Sequence, residues 1–247
     1  MVIRAEAASV AASDVVIRLP LRPAQLLRVL VAVSVALATI SAVLTTLNVM
    51  GVDLPFDQIV QRLDVDAENA VPSWFSTLDL FFCALLVVSI AARERGSRFA
   101  RSWWLLAAGM AYLSLDETIG VHEFVNDKLA GAQSSASQVI WVVPATIALV
   151  IVAIGFVGLL AHLPAKYRRT FVLAGALFVF ATIGLETVGG AIVDAHGGKH
   201  NPNAFANLPY VAETTTEELL EMIAVAMFAC ALASYGAEVC ATSEPSR

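Results

Sequence analysis

Apolar residues in this chain gather into six runs of roughly twenty residues, at 27–50, 74–93, 102–126, 138–162, 170–193 and 214–236. A helix rises about 1.5 Å per residue, so about twenty residues cross the ~30 Å hydrocarbon core of a bilayer. The pattern predicts an all-α, polytopic membrane protein built as a six-transmembrane-helix bundle. The third, fifth and sixth runs are apolar only if their acidic residues are tolerated. Residues 1–26 read as an N-terminal segment, 27–236 as one transmembrane domain and 237–247 as a tail. The spans use most of the chain, and no soluble domain fits between them.

Composition agrees with the pattern. The chain is 58% hydrophobic and 15% charged, with a mean hydropathy of +0.76, whereas soluble domains are closer to half apolar and a quarter charged. The first run follows Arg18, Arg22 and Arg28, and Ala36 with Ala38 resembles a leader cleavage site. That run continues to Met50, too long for a leader core, and is expected to stay as a helix.

Basic residues set the orientation. With the N-terminus inside, twelve of the fifteen Lys and Arg fall in inner segments. Only Arg62, Lys128 and Lys199 fall outside. Both termini are therefore expected to be cytoplasmic and the protein to reside in the cell membrane. The basic residues are already explained by this rule, and nothing points to nucleic acid. Cys83 and Cys230 lie within spans and Cys240 in the inner tail, so reduced thiols are expected rather than a disulfide framework. No internal repeat is evident.

The acidic residues have the most to say about function. With this orientation, Asp116, Glu117, His122 and Glu123 lie toward the outer end of the third span. Glu186 lies near the outer end of the fifth, and Glu217, Glu218 and Glu221 lie in the first outer turns of the sixth. Asp79 enters from the second span. On one continuous helix, Asp116, Glu117 and Glu123 share a face about 120° wide, with Gly120 between them. Glu217, Glu218 and Glu221 share another. An ionised group at the centre of a span costs at least ~2.5–3.5 kcal/mol, and no Lys or Arg lies in the outer half of any span. Neutralisation is left to protons or to a bound cation.

Plain structural roles compete with this reading. Thr214 with Glu217, or Thr215 with Glu218, has capping-box spacing, which accounts for both glutamates without a site. Glu221 is a turn deeper and is not accounted for. His196 and His200 fall in an outer loop, where surface histidines are ordinary, yet imidazole with carboxylate suits zinc, iron or manganese. An oxygen-only set suits calcium or magnesium. Neither a His-Glu-x-x-His zinc motif nor the Glu-x-x-His pair of ferritin-like bundles is present, and there is no Walker A or Gly-x-Ser-x-Gly stretch.

The expectation is an integral membrane protein with a carboxylate and histidine cluster that forms a cation site, a divalent transition metal above all, in the outer half of the bundle. Its ligand candidates are Asp116, Glu117, His122, Glu123, Glu186, Glu217, Glu218 and Glu221, with Asp79, His196 and His200 in second rank. As an enzyme it would be a metal-dependent hydrolase or oxidoreductase acting on a lipid-linked or extracytoplasmic substrate. The alternatives are a proton- or cation-coupled transporter and a non-catalytic ion-binding sensor or assembly subunit. The expected partners are the lipid bilayer and a metal or protons.

Overall fold

The computed structural model describes residues 21–54, 57–121, 124, 125, 128 and 142–243, and the described residues form helices with no strand. In chain order these are α1 (Pro23–Val49), α2 (Asp57–Leu63), α3 (Val71–Arg93), α4 (Ala100–Ile119), α5 (Val142–His162), α6 (Ala165–Val179), α7 (Glu186–Ala195) and α8 (Leu208–Ser243). A π-helical segment, Phe180–Leu185, joins α6 to α7 in one rod from Ala165 to Ala195. Local chemistry sets the ends. Pro23 opens α1 and Pro72 lies in the first turn of α3, where the missing N–H costs nothing. Asn207 caps α8, its Oδ1 accepting from the Tyr210 N–H at 2.9 Å, with Pro209 following in the first turn.

Five stretches among the described residues are long and apolar enough to cross a membrane: Pro23–Val49, Val71–Gly96, Val142–His162, Ala165–Ala195 and Leu208–Cys240. The third predicted run is the exception. Its helix, α4, carries Arg101, Asp116 and Glu117 within 20 residues, and these lower its hydropathy. The sixth run also differs from expectation. It begins at Leu208 rather than 214, because Asn207 and Pro209 start the helix two turns earlier. At 36 residues, α8 is about 54 Å long, more than the hydrocarbon core requires.

Helix α8 is the hub of the bundle. It packs against α1, α3, α6, the π segment and α7, and α3 packs most extensively against α4. Close approach depends on small residues. Ala224, Ala226 and Ala229 of α8 are fully buried, as is Ala91 of α3, and Gly236 faces the Ile90 side chain. Such small-residue seams let helix backbones meet where lipid gives apolar side chains no incentive to associate. α1 uses Ser34, Ala38 and Ser41 in the same way, and the Ser34 hydroxyl satisfies itself on the Leu30 carbonyl at 2.9 Å. By contrast α5 is exposed along nearly all its length. The three cysteines are free.

Candidate functional site

The carboxyl groups gather at the end of the bundle where α4 stops and α3 and α8 begin. Residues 210, 213, 214, 217, 218 and 221 of α8 fall on one face about 140° wide at 100° per residue. Glu217 is 8% exposed. Glu213, Glu218 and Glu221 are half-buried. Glu217 lies within electrostatic range of Glu186, Glu221, Glu213 and Glu218. Glu218 lies within range of Glu221, Glu117, Asp66 and Glu186. Three helices and one loop therefore contribute carboxyls to a single region.

Two contacts define its internal chemistry. Glu213 and Glu217, one turn apart on α8, lie within electrostatic range of each other. Glu213 also lies against Gly189 of α7, where a Cβ would come 2.5 Å from its Oε2. Thr182, in the π segment, places its Oγ1 3.0 Å from the Phe178 carbonyl and 2.7 Å from Glu221 Oε1. A hydroxyl has one proton to give; a protonated Glu221 could supply a bond that Thr182 does not. The π turn, a single-turn widening often found at functional positions, brings Thr182 to Glu221 and is followed directly by Glu186.

The loop between α2 and α3 closes over this end. The Tyr210 hydroxyl lies 3.1 Å from both carboxylate oxygens of Asp66, and the Thr214 hydroxyl donates to its Oδ1 at 3.1 Å. Ser41 of α1 holds the loop from the other side, accepting from the Val65 N–H at 3.0 Å and lying 3.5 Å from Asp64 Oδ1. Asp66 stays reachable by solvent, although protein atoms crowd its carboxyl. That crowding first, and the neighbouring Asp64 charge second, hold its pKa above the ordinary 3.8. Burial likewise raises Asp64. Arg62 Nη1 donates to the Asn69 carbonyl at 2.8 Å rather than to either carboxylate.

Several sequence expectations need correction. Among the described residues, no three His, Cys, Asp or Glu side chains form a group that could hold a metal ion. The expected cation site, whether zinc, iron or manganese with histidine or calcium or magnesium with oxygen alone, is overturned there, and the metalloenzyme reading falls with it. Carboxyls spaced four residues apart are strung about 6 Å apart along a helix axis. They feel one another's charge without converging on a point roughly 2.0–2.6 Å from each, as a metal requires. His122 and Glu123 lie outside the described residues.

The single helix on which Asp116, Glu117 and Glu123 would share a face stops at Gly120, and Glu123 lies outside the described residues. Gly120 takes a left-handed conformation (φ 57°) and ends α4, its N–H bonding to the Asp116 carbonyl at 2.8 Å. From α4 it is Glu117 that lies within range of Glu218. Asp116 lies within range of Tyr112, one turn back on the exposed side. Capping does not explain Glu217 and Glu218, because α8 begins at Leu208 and both are interior. His196 and His200 are exposed, and His196 Nδ1 contacts the Ile192 carbonyl of its own helix at 2.7 Å. Asp79 is buried in α3 and is considered below.

Sequence reasoning missed Glu213, Asp66 and Tyr210. The signal for two of them was present. Reading Asn207 as the cap extends the face of Glu217 and Glu221 back to Glu213 and Tyr210. Asp66 is joined only by the tertiary path of its loop.

No curated protein and no solved structure matches this chain. Residues 26–235 match the family model described as Domain of unknown function (DUF8692), and the chain belongs to that family.

Proposed function

We propose that this chain is a proton-binding membrane protein, whose carboxyl network takes up and releases protons at the extracytoplasmic end of a helical bundle. In this reading α4 crosses the membrane as a sixth span beside the five apolar ones. Both termini are cytoplasmic, and the protein lies in the cell membrane with the bilayer as its main partner. The distribution of Lys and Arg supports that orientation. Trp74, 64% exposed at the start of α3, suits a membrane interface on either side and supports α3 as a span.

The observation that carries the reading is the crowding of Glu217, which is 8% exposed and lies within electrostatic range of Glu186, Glu221, Glu213 and Glu218. It sets one buried carboxyl among four others, whose like charge would oppose its ionisation. Crowded carboxylates hold protons in preference to ionising together. The ion pair from Lys166 Nζ to Glu238 Oε2, at 2.6 Å, lies at the opposite end of α8.

The test is proton uptake by the protein in lipid nanodiscs, followed with an indicator dye as pH is lowered from alkaline to mildly acidic. The Glu217→Gln, Glu218→Gln double variant keeps shape and hydrogen bonding but removes two titrating groups. Fewer protons taken up by the folded variant support the reading. An uptake curve unchanged from the wild type sinks it.

A further inference from the structure

Apart from the cluster, one acid stands in an unusual position. Asp79 of α3 is 5% exposed, and neither Oδ1 nor Oδ2 has a hydrogen-bond partner among the described residues. The hydroxyls along the α3–α4 seam are engaged elsewhere. Ser73 donates to the Glu117 carbonyl at 3.2 Å and Ser114 to the Thr77 carbonyl at 2.9 Å. The Thr77 and Thr118 hydroxyls bond to each other at 3.2 Å. One turn on, the buried Cys83 thiol points at the Val225 carbonyl of α8, 3.8 Å away.

That last contact fixes the depth. Helices α3 and α8 begin at the same end of the bundle and run the same way, so Asp79 lies at about the depth of Glu221. The first cation along its own helix is Arg93, about 21 Å further on at 1.5 Å per residue. The titratable groups on the elements around it are Cys83 on α3, Glu117 on α4, and Glu218 and Glu221 on α8. None of these groups carries a positive charge that could offset one on Asp79. A carboxylate in such a place has neither donor nor cation to compensate its lost hydration. A neutral carboxylic acid has far less to lose.

We infer that Asp79 is a second proton-binding site, level with Glu221 at the inner edge of the cluster and separate from it, which holds its proton at neutral pH in the dry seam between α3, α4 and α8. As a further station for protons arriving from the cluster, it rests on the proton-binding reading above. As a protonated acid it stands on its own burial and lack of partners.

Infrared spectroscopy of the protein in nanodiscs tests both. An acid with no hydrogen-bond partner gives a carbonyl band at the high-frequency edge of the carboxylic acid region. That band is expected in the wild type at neutral pH, absent in Asp79→Asn and retained in the Glu217→Gln, Glu218→Gln variant. Its absence from the wild type, or its persistence in Asp79→Asn, overturns the inference. Unchanged proton uptake in the double variant, with the Asp79 band intact, fails the cluster and leaves this site standing. Asp79→Leu gives an independent check. Its thermal midpoint should equal or exceed that of the wild type, and a large fall would show Asp79 to be an ionised, partnered structural group.

Discussion

Helix α8 carries glutamates at both ends, and the two ends treat them differently. Glu238 is exposed, pairs with Lys166 at 2.6 Å and accepts from the Tyr167 hydroxyl at 2.5 Å. Around it aromatic rings fill the space: Trp103 stacks on Tyr235 with centroids 5.5 Å apart, and Tyr167 meets Tyr235 edge-on at 5.3 Å. Glu217 is buried, and its neighbours are other acids. One end holds its charge by pairing it at a wet surface. The other concentrates like groups, and in the proton-binding reading the proton serves there as counterion. The same residue type meets a cation at one end and other acids at the other because of what the adjoining helices supply.

The largest effect expected from breaking this contrast lies at the aromatic end. Trp103 is 1% exposed and plugs the seam between α4 and α8. Trp103→Ala should cost about 3–5 kcal/mol, the usual range for emptying a buried aromatic site, read as a fall in thermal midpoint in detergent. Proton uptake by the fraction that remains folded should be unchanged. Loss of uptake in folded protein would mean that the two ends are not independent.

A smaller effect is expected at the acidic end, where Gly120 stops α4. Its φ of 57° suits glycine, and an added Cβ would collide with the Glu68 carboxylate. Gly120→Ala should therefore cost about 1–3 kcal/mol and displace the loop that carries Glu68 and Asp66. A thermal midpoint equal to that of the wild type would show that the end of α4 is not held against this loop.

The contrast between the ends also marks what the sequence could say. Span length, the helical class and the gathering of Glu117, Glu186, Glu217, Glu218 and Glu221 at one end were readable, because about twenty apolar residues and a 100° step are physical constraints. The chemistry of the gathering was not. Whether carboxyls meet at a point or string along an axis depends on which helix faces which, and periodicity is silent on that. Gly120 was read as a small residue within a face, whereas its left-handed backbone ends the face. The π turn at Phe180–Leu185 leaves no pattern in the sequence, yet it sets Thr182 against Glu221. Asp66 needed a loop to fold back across α8.

Asp66 offers the smallest and sharpest test, since it is the latch between that loop and α8. Asp66→Ala strands the Tyr210 and Thr214 hydroxyls and should cost about 1 kcal/mol, at the low end because the site remains open to solvent. Asp66→Asn keeps an acceptor and removes the charge. Because the folded-state pKa of Asp66 lies above 3.8, ionisation weighs on the folded protein more than on the unfolded chain. The stabilising contribution of its proton is complete below the unfolded pKa and is lost as pH rises through the folded one. Asp66→Asn should therefore gain relative to the wild type at neutral pH, and that advantage should shrink as pH falls toward about 4. Thermal midpoints of the two proteins across this window decide the point. An advantage that grows on acidification would mean that the Tyr210 and Thr214 bonds to ionised Asp66 outweigh its crowding by Asp64, and the latch would then be held by charge, as Glu238 is at the other end.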